Sequence, residues 1–533
     1  MKLKNILIVS IALGGVFSCT KLEQKLNDSL TTTPGGGAAD PALLLNSTYN
    51  SLNGVLHAQD LLFSLQETTS DEALVPTRGG DWDDNGAWRV LHEHKWTTIH
   101  SQFKNVYNAL GAVESNALTT LAFSPSASQA AEAKFLLSLA QFYYLDLYGQ
   151  VPYRAVDQYN AITAAPVYSP QEAIDNLTTT LTSIIPTLPA ANVPYKASPD
   201  AARFLLMKVL LNKGAYLNRK SPTFADADMQ QVISLGNQII GGGYSLTPVY
   251  FDNFGPSNST LSKERILAWP NSGASASNGI NSGGINARWM MTLHYNSWDK
   301  NGSYGGAGWN GFSTVADFYN TFGATDMRVG GQPYPGVTSE SGLKPGFLVG
   351  QQFNENGVAE TDRHGNPLAF TPLVHLVETD KDLLEVAGIR VIKYPPDYTA
   401  YSGGNQHNQL QIFRFADVLL MVAEAKMRLA APDAAAALIL VNQLRTARGA
   451  TPLATLTLVN PTNVADPNTL LAERGRELYW ESWRRQDLIR YGVFLIKWQL
   501  KEADADPERN LLFPIAQDEL LANPNLHQNP GYQ

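Results

Sequence analysis

Apolar side chains recur at helical spacing in two separate blocks of this chain, and Gly, Ser, Asn and Pro interrupt every such run between them. In the first block Phe135, Leu139, Phe142 and Tyr143 fall on one helix face, because residues three and four apart stack on the same side. Start signals frame the neighbouring helices. Ser169-Pro170-Gln171-Glu172 offers a capping hydroxyl, a proline at the first helical position and a glutamate able to close a capping box. Ser198-Pro199-Asp200 repeats the signal. The pattern predicts helices over 41–56, 102–121, 129–148, 201–217 and 226–240, the last stopped by Gly241-Gly242-Gly243. Short connections, with Ala201, Ala202 and Ala215 where helices approach, predict hairpins stacked like degenerate tetratricopeptide repeats. The fold class is therefore mostly α.

The second block sets Phe415, Val418, Leu419, Val422 and Leu429 on one face. A helix over 434–448 follows, then the longest helical run, from 470 to about 501, and a Pro-studded tail from 510 to 533. The intervening stretch, 244–411, holds four of the ten tryptophans: Trp269, Trp289, Trp298 and Trp309. A loop-rich segment of that length inside a folded chain is expected to carry function.

The N-terminus predicts export. Lys2 and Lys4 precede an apolar stretch, 6–13, that is much shorter than the ~20 residues a membrane span needs. Gly14-Gly15 and Val16-Phe17-Ser18-Cys19 then suit cleavage before a cysteine that carries a lipid. Residues 1–18 are expected to be a lipoprotein signal peptide, Cys19 the lipid attachment, and 19–40 a flexible spacer. Cys19 is the only cysteine, so the rest of the chain has no disulfide, thiolate nucleophile or cysteine metal site. A net charge of −9 weighs against nucleic acid as a partner, and no second long apolar run follows, which leaves the lipid as the membrane contact.

Four C-terminal stretches resemble the SusD/RagB family of surface glycan-binding lipoproteins. They are the helix from Arg414-Phe415-Ala416-Asp417 to Ala423-Glu424-Ala425, the segment Asn442-Gln443-Leu444-Arg445-Thr446-Ala447-Arg448, the charged run from Glu473-Arg474-Gly475-Arg476-Glu477 through Trp483-Arg484-Arg485-Gln486-Asp487, and the tail with Leu512-Phe513-Pro514-Ile515 and Asn529-Pro530-Gly531-Tyr532. In the N-terminal block, the stretch from Ala140-Gln141-Phe142-Tyr143 to Gly149-Gln150-Val151-Pro152 resembles a further family helix end. Ser482 stands where the family commonly has glycine, and Val422 where it has tyrosine. The resemblance implies a SusD-like scaffold, 41–243 and 412–533, supporting a capping region over 244–411. It also implies an outer-membrane position facing the exterior and a SusC-like TonB-dependent transporter as partner. The charged residues of the run, with Glu481 and Arg485 in i,i+4 register, are expected to form a partly buried ion network that locks helices together.

Sugars present flat C–H faces ringed by hydroxyls, so a site for them needs aromatic platforms with carboxylate, amide or guanidinium groups at the rim. Two stretches supply that mix outside any helix. The loop 66–96 holds Asp71, Arg78, Asp81, Trp82 and Trp88 among Pro76, Gly79, Gly80 and Gly86. The stretch 289–310 holds Tyr295, Trp298, Tyr304 and Trp309. Trp82 or Trp298 is the expected platform and Asp71, Arg78 and Asp81 the hydroxyl partners, with Arg390 and Tyr394 as further candidates. His92-Glu93-His94 and His100 lack metal-ligand spacing and read as polar surface. No metal, cofactor or catalytic residue is predicted. Two other functions stay open: peptide or glycopeptide cargo on the same scaffold, and a glycoside hydrolase using a pair among Asp71, Asp81, Asp83 and Asp84.

Overall fold

The computed structural model describes residues 39–532 apart from 191–192, 272–283, 298–307, 332–342, 355–356 and 398–405. Cys19, Trp298 and Tyr304 lie outside the described residues. Six long helices, with a short helical turn Ala87–His92 between the first two, lead the described residues: α1 (Pro41–His57), α2 (Ser101–Ala122), α3 (Ala127–Tyr148), α4 (Pro170–Ile184), α5 (Pro199–Leu217) and α6 (Asp226–Ile240). Each packs on the next in sequence, as in stacked helical hairpins. The stack then crosses the inserted segment without a break. α7 (Phe415–Arg428) packs on α6, and α8 (Ala434–Ala447) packs on α7. The architecture is the mostly α, tetratricopeptide-like scaffold that the apolar spacing predicts, with loop insertions.

Capping chemistry sets where the helices begin. Ser169 and Glu172 form the predicted capping box, with Glu172 accepting from the Ser169 backbone N–H at 2.8 Å. Ser198 accepts from the Ala201 N–H at 3.1 Å. Ser126 and Gln129 form a second capping box at the start of α3. Each such cap is worth about 1 kcal/mol. The α6–α7 contact is closer than ordinary side chains permit: a Cβ on Gly236 would lie 2.2 Å from Val422 Cγ2. The smaller valine at position 422 therefore faces a glycine, which brings the two backbones together.

The run from 470 to about 501 is not one helix. It folds as α9 (Leu470–Leu478) and α10 (Arg484–Arg490), separated by a turn in which Trp480 and Ser482 have φ of 56° and 68°. Left-handed residues end a helix, and the amides they release find buried acceptors. The Trp480 N–H donates to Glu72 Oε2 at 3.3 Å, and the Ser482 N–H donates to Glu67. The break also changes the expected pairing. Glu481 pairs with Arg414 at 2.7 Å and with Lys393, not with Arg485.

The ion network is buried rather than at the surface. Glu477 on α9 receives Arg448 at 2.9 Å, Arg414 at 3.0 Å and Arg328 at 3.2 Å, and none of these side chains is more than 1% exposed. Burial alone raises the Glu477 carboxyl, but Arg448, Arg414 and Arg328 outweigh it and hold the group down at about 2. Arg328 lies in the inserted segment and also grips Glu473 at 2.8 Å, so charge joins the insertion to α9. The ends of the insertion are zipped together as well. Strand Arg265–Trp269 pairs antiparallel with strand Leu410–Arg414, which leads directly into α7.

Candidate functional site

The loop after α1 and its π-helical turn Ser64–Thr68 is fastened to the inserted segment at several points. Thr77 and Arg78 pair in parallel with Val377 and Glu378. Arg78 and Asp81 then exchange backbone hydrogen bonds of 2.9 and 3.1 Å around a tight turn, in which Gly79 supplies a φ of 66°. Beyond it Trp82, Asp84 and Asn85 also have positive φ, which costs roughly 1–2 kcal/mol for a residue with a Cβ. Side-chain bonds hold this strained stretch. The Arg89 guanidinium donates to Asp83 at 2.7 Å, and Trp88 Nε1 donates to Asp84 at 2.7 Å.

Trp82 sits half-buried at the seam between loop and insertion. Its Nε1 donates to the Trp309 carbonyl at 2.8 Å, and its ring meets Trp88 and Phe312 edge-on at 5.3 and 5.7 Å. A Cβ on Gly311 would fall 2.5 Å from that ring, so only glycine lets the indole lie against the backbone there. Beside it, the Tyr295 hydroxyl donates to Asp81 Oδ2 at 2.6 Å, and the Arg363 guanidinium stacks 3.9 Å over the Tyr295 ring. Arg363 reaches Asp81 at 3.4 Å and Glu385 at 2.5 Å. His294 Nε2 meets the other Glu385 oxygen at 2.7 Å while its Nδ1 accepts from the Asn296 N–H. Burial depresses His294 to about 4, so the ring is neutral and Nε2 is the donor. Burial works to raise Glu385, but the Arg363 and His294 hydrogen bonds outweigh it and keep the carboxylate ionised.

The face thus assembled contains Asp81, Trp82 and Trp309 of the predicted set together with Tyr295. The sequence reading missed Arg363, Glu385 and His294. Arg363 and Glu385 come from segments with no aromatic cluster around them, and only the fold brings them to this face, whereas His294 lies within the aromatic stretch 289–310 but was not singled out there.

Other predicted residues lie elsewhere. Arg78 is 3% exposed and donates to the Gly311 carbonyl and to Ser313 Oγ, at 3.4 and 2.9 Å. Arg390 is fully buried, shares Ser313 Oγ with Arg78, and donates to Asn310 Oδ1 at 2.8 Å. These two cations are struts under the segment that carries Trp309, and they point away from solvent. Tyr394 is buried, its hydroxyl accepting from the Gln411 N–H at 3.0 Å, and Trp88 is a core residue. Asp71 leaves this face altogether. Arg484 clamps both its oxygens at 2.7 Å, and it lines a separate cavity of about 230 Å³ with Phe318 and Trp498. His92 and His94 are buried rather than polar surface, and His100 is half-buried. His92 contacts the Ala73 and Gln499 carbonyls, and His94 contacts Asp504 and the Thr69 carbonyl. Among the described residues, no group of three or more His, Cys, Asp and Glu side chains is arranged to hold a metal ion.

Comparison with known proteins bears on the whole arrangement. Residues 386–532 match the model of the SusD family. A SusD-like protein of Formosa agariphila is 33% identical over 126 residues, a match spanning 23% of this chain and only 24% of that relative. Among solved structures, a SusD superfamily protein from Parabacteroides distasonis superposes with a TM-score of 0.68 at 19% identity, covering 92% of this chain and 98% of that one. Surface glycan-binding protein A from Bacteroides thetaiotaomicron, solved in complex with laminarihexaose, gives a TM-score of 0.62 at 16% identity over 92% of this chain and 98% of that one. The same helical stack is shared with these solved structures along nearly the full length, so the chain has the SusD fold, and the segment that matches the SusD family model contains α9 and α10 with Arg414 and Arg448 of the buried charge network.

Proposed function

We propose that this chain is a glycan-binding lipoprotein of the outer membrane, anchored through Cys19 and facing the cell exterior. In this reading it captures oligosaccharide on the Trp82 face and delivers it to a SusC-like TonB-dependent transporter. The observation that carries the reading is the cluster of Asp81, Tyr295 and Arg363 beside two half-buried indoles, Trp82 and Trp309. Asp81 and Arg363 are each about half exposed, so their free lone pairs and N–H groups are available to sugar hydroxyls next to an aromatic platform. Trp298 and Tyr304 are proposed as glycan contacts on the sequence alone. Surface glycan-binding protein A, the relative bound to laminarihexaose, supports the ligand class.

The chemistry of the face favours binding over hydrolysis. A glycosidase needs one carboxyl held protonated near neutral pH. Here Glu385 is kept ionised by Arg363 and His294, and the hydrogen bond from Arg89 lowers Asp83. Screening the protein on glycan and peptide libraries tests the function directly. Selective glycan binding that is lost in the Trp82→Ala/Asp81→Asn double variant is the expected result. Selective peptide binding, or glycan binding that survives the double variant, would sink it. Protease shaving of intact cells tests the outward orientation, since a periplasmic protein would be protected. A Cys19→Ala chain should no longer partition with membranes.

A further inference from the structure

A second concavity of about 220 Å³ opens where α2, α3, the 151–168 connection and the C-terminal tail meet, and no residue of 244–411 contributes to it. Its wall is tyrosine: Tyr107, Tyr144, Tyr153 and Tyr159. Their positions are set by contacts with neighbouring aromatic residues and backbone. Tyr153 stacks flat on Tyr168 with centroids 3.6 Å apart, and the Tyr144 hydroxyl donates to the Tyr107 carbonyl at 2.6 Å. Two carboxyl groups face the same space, Glu519 from the tail and Glu114 from α2.

Glu114 is the unusual member. It is 8% exposed, and its hydrogen bond from Gln141 Nε2 is long, at 3.4 Å. Among the described residues no lysine or arginine pairs with it, in contrast to the carboxylates of the α9 network. A desolvated carboxyl without a counter-cation is costly when ionised. Arg154 also lines the cavity, and its positive field reaches Glu114 while its side chain donates to the Thr163 carbonyl. The remaining charges around the cavity are Glu172 on α4, the Lys104–Asp518 pair between α2 and the tail, and Glu519. Acidic groups, Glu114, Glu172, Asp518 and Glu519, therefore outnumber the two cations Arg154 and Lys104. Tyrosine faces beside a carboxylate form a cage suited to a positively charged ligand.

We propose that this cavity binds a small primary ammonium group, which pairs with Glu114 inside the tyrosine wall. The proposal is independent of glycan binding on the Trp82 face. Burial pushes Glu114 up to about 8, so the empty cavity holds a neutral carboxylic acid at pH 7. An arriving ammonium ion pairs with the carboxylate and displaces that proton to solvent. Affinity must then rise with pH, by about tenfold between pH 6 and pH 7.

Isothermal titration of the whole protein tests this with two ammonium sources, Nα-acetyl-lysine and glucosamine, against their uncharged matches, Nα-acetyl-norleucine and glucose. The expected result is saturable binding of at least one ammonium probe, about tenfold tighter at pH 7 than at pH 6. Glu114→Gln should abolish that pH dependence and weaken binding at least tenfold, and Tyr153→Ala, at the half-exposed edge, should weaken it without removing the pH dependence. The proposal is overturned if neither ammonium probe binds, if the uncharged matches bind equally well, or if affinity is the same at both pH values.

Discussion

Tyr295 donates its phenolic proton to Asp81 across 2.6 Å, joining the inserted segment to a tight turn of the loop that follows α1. Burial and the neighbouring Asp81 charge both raise the phenol, so the proton stays on Tyr295 throughout the physiological range. The bond fixes the direction of an exposed carboxylate, and Arg363 stacked on the same ring fixes a guanidinium beside it. In Tyr295→Phe the ring and its stacking remain but Asp81 is no longer aimed. A lost hydrogen bond of this kind is worth about 1 kcal/mol, so glycan affinity should fall about fivefold in calorimetry against a ligand found by array screening. Unchanged affinity would remove Asp81 from the proposed site.

Glu477 gathers three arginines in a space with no water access. Glu477→Gln leaves those cations short of one buried negative charge, which should cost about 3–5 kcal/mol. Thermal and urea unfolding would show it as a lowered midpoint with an unchanged slope. The wild-type carboxyl sits at about 2 in the folded protein, below its unfolded value. Its contribution is therefore present above the unfolded pKa and is lost as pH falls toward 2. The variant should lack that part of the acid-induced loss.

Ser482 adopts a φ of 68° in the turn between α9 and α10. A side chain there meets the steric penalty of left-handed backbone, roughly 1–2 kcal/mol, which glycine avoids. Ser482→Gly should raise stability by about 1 kcal/mol, after the added freedom of glycine in the unfolded chain is offset. Equilibrium unfolding in urea would measure it. A destabilised glycine variant would mean that the serine side chain has a role the backbone geometry does not reveal.

Glu67 and Glu72 are buried together beside that turn. Burial lifts Glu67 to about 7, and burial together with the Glu67 charge lifts Glu72 well above the ordinary carboxyl range. For groups raised in this way, stability is fully present below the unfolded pKa and is lost as pH rises through the folded value. The wild-type protein should therefore lose stability as pH rises through about 7 and above. Glu72→Gln keeps a donor toward Glu67 without a second charge, so its melting temperature should decline less over the same range. Parallel pH profiles for the two proteins would count against the coupling.

The helices were legible because their signals are local. Ser169 and Glu172, or the apolar row through Phe142, need only their own turn to declare themselves. The break between α9 and α10 was not legible. It depends on Glu67 and Glu72, some 400 residues earlier in the chain, accepting from the Ser482 and Trp480 amides. Half of the candidate face was visible as Asp81, Trp82 and Trp309 in glycine-rich stretches. Arg363 and Glu385 carry no such context, and their role follows only from the fold placing Arg363 over Tyr295 with Glu385 paired to it. The opposite error came from Arg78 and Arg390. A guanidinium in a loop looks like a ligand donor in sequence, but both are spent on carbonyls and on Ser313.

The grip of Arg328 on Glu473 and Glu477 has a consequence for behaviour in salt. Those side chains are sealed from solvent, so dissolved ions cannot screen them, and the inserted segment should stay fastened in dilute buffer and concentrated brine alike. The Arg363–Asp81 contact is about half exposed on both sides, and counter-ions reach it freely. One molecule thus combines a hold on its architecture that ignores ionic strength with a recognition rim that loosens as ionic strength rises.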